Sequence, residues 1–261
     1  MTEQALHTST VKISLRETTS DEQNLQISAY VAQPQTPGVY PGIVVLQEIF
    51  GVNAHIRDVT DRIAKLGYVA IAPSLFERIV PGYEAGYTEA DIEQGRQYAW
   101  SQTTVGELLT DIQASINYLK TIPQVKPDSF GCIGFCFGGH VAYLAATLPD
   151  IKATAAFYGA GIPTRSPGNQ TPTLTRTKDI MGNIYVFFGL DDASIPPEHI
   201  HEIETELAKY NIPHRLFRYD GANHGFFCDR RASYNPKAAA DAWEQVQRLF
   251  SNVLASNVLA G

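Results

Sequence analysis

Short apolar runs that alternate with helical patterns constrain the fold of this chain more than any other feature. Three of these runs, residues 42–46, 129–134 and 183–188, are almost continuously apolar, as expected of strands that are covered on both faces. Between the runs, apolar residues recur every three or four positions, for example over residues 54–66, which predicts amphipathic helices. Strands that alternate with helices form a mostly parallel central sheet with helices on both faces, so the predicted class is α/β.

The first thirty residues have a different pattern. Apolar and polar side chains alternate over residues 11–15 and again over 25–31, which predicts two half-buried strands. Turn-forming residues lie between them at 21–24. We therefore expect an N-terminal antiparallel strand pair beside the parallel sheet. A chain of 261 residues can form one α/β domain, and since no linker divides the pattern we predict a single domain over residues 1–261.

Charge and composition exclude several classes of partner. The net charge of −7 and the absence of a basic cluster argue against a nucleic-acid partner, because phosphate neutralisation needs grouped Lys and Arg. No apolar run reaches the roughly 20 residues that a membrane span needs, so no membrane association is expected. The three cysteines follow no disulfide-framework spacing, which favours reduced thiols and a cytoplasmic protein. The oligomeric state cannot be read from these patterns.

Gly134–Gly139, with the sequence GFCFGG, carries the strongest chemical signal. A predicted strand leads into this segment and a predicted helix leaves it. This is the pattern of a nucleophile elbow, here with Cys136 in place of the usual serine. Flanking glycines leave room for so sharp a turn, and the partial positive charge of the helix N-terminus favours a thiolate. The other cysteines, Cys132 and Cys228, are interpreted as buried structural residues.

The acid and base are expected at the ends of later strands, in the order nucleophile, acid, histidine. His224 follows the last predicted strand, and the pair Asp191 and Asp192 follows the strand before it. We prefer Asp192 as the acid that orients the imidazole, with Asp191 as the alternative. His140 lies on the helix that leads away from Cys136 and is predicted to be a packing residue instead.

With these residues in place, the chain resembles the dienelactone hydrolase (carboxymethylenebutenolidase) family. The resemblance rests on QEIFGVN at 47–53, GFCFGG at 134–139, the acid loop 189–196 and the NHGF motif around His224. It implies an α/β-hydrolase fold and a hydrolase that needs no cofactor and no metal. The implied substrate is a small ester or lactone bearing a carboxylate, which is cleaved through an acyl-thioester on cysteine.

The resemblance also implies roles for further residues. Glu48 is expected near the thiol, which it would keep neutral until substrate binds. Two arginines are expected to hold the substrate carboxylate. Arg78 matches the first, and Arg230 or Arg231 must serve as the second, with Arg230 taken first.

Backbone N–H groups of Ile49 and Phe137 are predicted to form an oxyanion hole, and aromatic residues are predicted to wall the pocket, namely Phe50, Trp100 and Tyr158. The 159–182 segment is longer than the family's usual connection and is expected to reshape the pocket. Two other functions stay open: a broad carboxylesterase or thioesterase of the same fold, and a non-catalytic ligand-binding protein.

Overall fold

The computed structural model describes residues 4–15 and 25–254, and an eight-stranded sheet forms its centre. In spatial order the strands run β1-β2-β4-β3-β5-β6-β7-β8. Their bounds are Leu6–Ser14 (β1), Gln26–Pro34 (β2), Tyr40–Leu46 (β3), Val69–Pro73 (β4), Val125–Phe135 (β5), Ile151–Phe157 (β6), Asn183–Gly189 (β7) and His214–Tyr219 (β8).

All of the α-helices but the last lie in connections between the strands, and together they cover both faces of the sheet. Their bounds are Ala54–Lys65 (α1), Glu89–Gln97 (α2), Val105–Lys120 (α3), Phe137–Ala145 (α4), Pro197–Lys209 (α5) and Pro236–Leu254 (α6). A π-helical turn, Tyr98–Gln102, extends α2. The helix ends there, and the side chain of Thr104 caps the N-terminus of α3. None of the helices in the described ranges is long and apolar enough to span a membrane.

Strand directions confirm the predicted fold class. Strands β3 to β8 pair in parallel, while β1 pairs antiparallel with β2 and β2 pairs antiparallel with β4. The N-terminal antiparallel pair therefore extends one edge of the parallel sheet. The turn expected at 21–24 lies outside the described residues.

The parallel strands bring the predicted site residues to one edge. Glu48 follows β3, Cys136 follows β5, Asp192 follows β7 and His224 follows β8. Because the carboxyl ends of parallel strands share an edge, residues far apart in sequence meet there. The strands themselves are anchored in the core, where all five residues of β4 and six of the seven in β3 are buried.

Candidate active site

Cys136 lies at the sharp turn from β5 into α4 and has a left-handed backbone, with φ 57°. Its N–H donates to the carbonyl oxygen of Phe157 at 3.0 Å, which ties the turn to the end of β6. A Cβ at Gly134 would collide with the Gly138 carbonyl, and one at Gly138 would collide with the carbonyl of Leu46. The two glycines are thus required by backbone contact, and the strained turn exposes the sulfur.

His224 and Asp192 meet beside this turn. Nδ1 of His224 lies 2.6 Å from Oδ2 of Asp192, and Oδ1 of the same carboxylate accepts a hydrogen bond from Ser194 N at 2.8 Å. Asp192 is 3% exposed, whereas Asp191 is exposed to solvent. Of the two neighbouring aspartates, therefore, Asp192 is the one that can orient the imidazole.

The charge environment of His224 links the histidine to Cys136. Burial lowers the pKa of His224, but the negative charge of Cys136 and hydrogen bonds with Asp192 and Cys136 raise it by more. The net effect is a pKa above the ordinary histidine value. An imidazolium is thereby stabilised next to the sulfur of Cys136.

Glu48 is fully buried and pairs with an arginine rather than with the thiol. Its Oε1 lies 3.1 Å from Nη1 of Arg231, while its Oε2 has no hydrogen-bond partner among the described residues. The Arg231 guanidinium also lies over the rings of Phe50 and Tyr87, at 5.7 and 5.6 Å from their centroids. Burial lowers the pKa of Arg231, but the surrounding negative charges, of which the Glu48 carboxylate is the largest, together raise it above its ordinary value.

A cavity opens above Cys136 and His224, with about 590 Å³ of empty space including its mouth. Ile49 and Phe137 both line it, and neither backbone N–H has an acceptor within the described part of the chain. Phe137 is the first residue of α4, where a free N–H is expected. These two N–H groups can therefore donate to a negatively charged oxygen.

Of the arginines expected to hold the substrate carboxylate, Arg78 and Arg230 lie outside the cavity lining. Arg78 does not line the cavity but binds Asp111, with Nη2 2.6 Å from Oδ1 and Nε 3.1 Å from the same oxygen. Arg230 is exposed and also lies outside the cavity lining, whereas Arg231 lies within it. The assignments of Arg78 and Arg230 therefore need correction. The buried Asp111 carboxylate holds Arg78, and the turn after His224 directs Arg231, rather than Arg230, into the cavity.

Of the three predicted wall residues, Phe50 and Trp100 line the cavity and Tyr158 does not. Tyr158 is fully buried, and its ring centroid lies 5.2 Å from that of His224. Burial raises the pKa of its hydroxyl well above the usual value. Tyr158 therefore packs against the imidazole instead of facing the cavity.

The 159–182 segment does contribute to the cavity, as expected of a long connection. It contains two short 3₁₀ turns, Pro167–Asn169 and Thr173–Asp179. His140, on α4, is hydrogen-bonded to this segment at two points. Nδ1 of His140 lies 2.9 Å from the Ala160 carbonyl oxygen and Nε2 lies 2.6 Å from Thr173 Oγ1. The fully buried His140 is thus a packing residue, in agreement with its position on the helix.

Two arginines of the cavity were missed by the sequence analysis. Arg165, from the 159–182 segment, and Arg96, from α2, both line the cavity with Cys136. The unusual length of the segment was the available signal for Arg165. For Arg96 there was no signal, since a lone cation on a polar helix is ordinarily solvated.

Within the described ranges, one cluster of three buried side chains has ligand atoms close enough together to bind a metal ion. The ligand atoms of Glu48, His55 and Cys228 lie within 4.8 Å of one another, and neither ring nitrogen of His55 has a partner among the described residues. Burial lowers the pKa of His55, which favours its neutral, ligand-competent form. The positive charge of Arg231 beside Glu48, however, opposes a cation at this position.

Comparison with known proteins decides the family. The Dienelactone hydrolase family profile matches residues 27–254. The chain belongs to the dienelactone hydrolase family. It is therefore a hydrolase of the class that acts on carboxylic esters and lactones, built on the α/β-hydrolase fold.

Individual family relatives cover almost the whole chain. A protein of Synechocystis sp. named "Putative carboxymethylenebutenolidase" is 55% identical over 245 residues, which is 94% of this chain and 99% of that protein. A "Probable 2-oxo-3-(5-oxofuran-2-ylidene)propanoate lactonase" of Bradyrhizobium sp. is 31% identical and covers 82% of this chain and 85% of its own. A crystal structure from Klebsiella pneumoniae, named "Putative Dienelactone Hydrolase", has a TM-score of 0.81 and 28% identity, with 94% and 99% covered.

Proposed function

We propose that this enzyme hydrolyses a small ester or lactone through an acyl-thioester on Cys136, with His224 and Asp192 completing a catalytic triad. One observation carries the proposal: the strained elbow holds Cys136 beside an imidazole whose far nitrogen lies 2.6 Å from a buried carboxylate. This arrangement supplies a nucleophile, a proton carrier and a group that orients the carrier.

In the first half of the reaction, the Cys136 thiolate attacks the carbonyl carbon and the carbonyl oxygen becomes negatively charged. The N–H groups of Ile49 and Phe137 would donate hydrogen bonds to that oxygen. When the intermediate collapses, the bond between the carbonyl carbon and the ester oxygen breaks. The His224 imidazolium donates its proton to the departing oxygen, which in a lactone stays attached to the acyl group.

In the second half, His224 is neutral and can accept a proton from water. The resulting hydroxide attacks the thioester carbon, the carbon–sulfur bond breaks and the thiolate is restored, with His224 again protonated. Asp192 keeps the imidazole in one tautomer throughout, because Nδ1 of His224 remains bonded to its carboxylate. No step requires a cofactor.

Glu48 acts in this proposal through Arg231. In the structure the carboxylate is paired with the guanidinium and makes no hydrogen bond to the thiol within the described residues. A substrate anion that contacts Arg231 would compete for that guanidinium and release Glu48 toward the cavity. The charge near the nucleophile would then change only when substrate is present.

Broad carboxylesterase activity is the second candidate, and the position of Arg78 favours it. Arg78 is held by Asp111 and does not reach the cavity, so one family-type carboxylate anchor is lacking. Much of the cavity lining is apolar, including Phe50, Trp100 and Phe137, which suits an uncharged ester. The name of the Bradyrhizobium relative, in contrast, describes a lactonase of a carboxylate-bearing substrate.

Turnover of p-nitrophenyl acetate and dienelactone by Cys136→Ala, with Cys132→Ala as the matched control, tests the proposal. We expect the first variant to lose at least about 10³-fold in kcat/KM for every ester that the enzyme accepts. Cys132 is buried in β5, away from the cavity lining, and its variant should keep the wild-type rate. Wild-type turnover in Cys136→Ala would refute the triad. Acetate turnover without lactone turnover would favour the second candidate.

We also propose a cytoplasmic location, because all three cysteines are free.

A further inference from the structure

The loop that carries the Ile49 N–H is packed against two helices. We call residues 47–51 the oxyanion loop; it follows β3 and leads toward α1. From α4, Gly138 approaches the start of this loop so closely that a Cβ there would lie 2.3 Å from the carbonyl oxygen of Leu46. The elbow that holds Cys136 and the loop that holds Ile49 are therefore in direct backbone contact.

From α2, Gly95 contacts the oxyanion loop at Ile49 itself. A Cβ at Gly95 would lie 2.3 Å from the Ile49 carbonyl oxygen and 3.0 Å from the Ile49 Cβ. Both distances are shorter than the roughly 3.5 Å at which non-bonded heavy atoms pack. Gly95 is the one buried position of α2, a helix that is described over its whole length. The helix thus meets the core of the site at the residue that has no side chain.

Close approach, and not backbone conformation, explains a glycine at this position. In the interior of a helix, glycine is less favourable than alanine because it loses more conformational freedom on folding. Gly95 does not have the positive φ that would require glycine. Gly106, near the start of α3, provides a contrast, since a Cβ there would meet no atom within 4 Å. Gly95 is therefore needed for the space between α2 and Ile49.

The segment that leads into α2 is attached to the same loop. The N–H of Ala85 donates to the carbonyl oxygen of Phe50 at 3.0 Å, and Gly51 forms an isolated antiparallel bridge with Glu84. Backbone contacts before and within the helix therefore fix α2 with respect to Ile49.

We propose that α2 sets the position of the Ile49 N–H in the oxyanion hole, with Gly95 as the positioning residue. The inference rests on the proposed function, in which this N–H donates to the oxygen of the tetrahedral intermediate. Such a donor stabilises the transition state only when it is held at hydrogen-bond distance from the developing charge.

A side chain at position 95 would disturb that geometry. Relief of the 2.3 Å contact in Gly95→Ala requires a shift of about 1 Å, because the opposing atom is a backbone carbonyl oxygen and not the end of a flexible side chain. The N–H of Ile49 belongs to the same residue and moves with it. A displacement of about 1 Å at a reacting centre can cost about 10²-fold in rate.

Two reactions of the same thiol, only one of which forms an oxyanion, test the proposal. Acylation of Cys136 by p-nitrophenyl acetate passes through a tetrahedral oxyanion, whereas alkylation by iodoacetamide displaces iodide from a saturated carbon. The burst of p-nitrophenolate gives the acylation rate constant, and peptide mapping gives the rate of Cys136 alkylation. We expect Gly95→Ala to lower the acylation constant about 10²-fold, with the half-saturating ester concentration and the alkylation rate changed less than about twofold. Gly106→Ala, the matched control, should change neither reaction.

Three results in Gly95→Ala would overturn the proposal. They are an equal loss of acylation and alkylation, an unchanged acylation constant, and a raised half-saturating concentration with acylation otherwise intact. A wild-type Cys136 that is alkylated but never acylated would refute the proposed function itself, and the positioning role with it.

A second variant decides the matter if Gly95→Ala does not fold. Thr88 and Thr104 form equivalent capping boxes at the starts of α2 and α3. Thr88→Ala loosens α2 without adding an atom beside Ile49, and it should lower acylation about fivefold relative to alkylation. Thr104→Ala should leave the ratio of the two rates unchanged. Equal ratios in the two threonine variants would refute the dependence of Ile49 on α2.

Discussion

His140 allows a quantitative prediction about stability and pH. The side chain is fully buried between α4 and the 159–182 segment, and burial lowers its pKa from 6.5 to about 4. Its two bonds are satisfied by a neutral ring: Nδ1–H donates to the Ala160 carbonyl, and Nε2 accepts from the Thr173 hydroxyl. Folding therefore requires an uncharged His140, whereas the unfolded chain can protonate it.

The direction and size of the change in folding stability with pH follow from that difference in pKa. Between pH 6.5 and about 4 the unfolded chain binds the proton more readily, so stability falls as the pH falls. The lowering from 6.5 to about 4 corresponds to about 3 kcal/mol. The full loss of stability is reached only below pH 4, and almost no stability is lost through His140 at pH 7.

Urea unfolding of wild type and His140→Gln between pH 7.5 and 4 measures this contribution. Glutamine can donate and accept much as the neutral imidazole does, but it does not titrate. We expect the stability advantage of wild type over the variant to shrink by about 2–3 kcal/mol as the pH falls to 4. Other titrating groups are common to both proteins and cancel in the difference. A difference that stays constant with pH would refute a neutral, buried His140.

Three further predictions concern the site. Arg78→Gln should lower the free energy of unfolding by about 3 kcal/mol, because it leaves buried Asp111 unpaired, while KM for dienelactone stays the same; a raised KM with unchanged stability would return Arg78 to the substrate site. Asp192→Asn should reduce kcat about 10²–10⁴-fold, and Asp191→Asn should leave it unchanged; equal effects would contradict the observed pairing with His224. Glu48→Gln should change the pH profile of iodoacetamide alkylation of the nucleophile, measured without substrate, and an identical profile would separate Glu48 from the thiol.

The sequence was sufficient to predict the parts of the site that depend on the backbone. Apolar runs and helical spacing predict a parallel sheet, and a parallel sheet brings strand ends to one edge. Residues that directly follow strands, such as Cys136 and His224, are consequently located by topology alone. The glycines of the elbow strengthen the prediction, since contact with the Leu46 carbonyl leaves no room for a Cβ at Gly138.

Side-chain partners from distant segments could not be predicted in the same way. Arg78 meets Asp111 on another helix, and nothing in the local sequence reveals that pairing. The choice between Arg230 and Arg231 depends on the course of a short turn, where one residue of displacement moves a side chain from the cavity to solvent. Arg165 depends on the conformation of a long irregular segment, which propensity and periodicity do not specify.

The most direct test of the mechanism is the identity of the acylated atom. Wild type and His224→Gln would be mixed with p-nitrophenyl acetate, quenched rapidly in acid and examined by intact mass and peptide mapping. We expect one acetyl group on Cys136, removable by neutral hydroxylamine as a thioester is, and a larger acylated fraction in the variant, which lacks the base for hydrolysis. Acetyl on another residue, or turnover with no acyl group on Cys136 in either protein, would contradict the proposed mechanism.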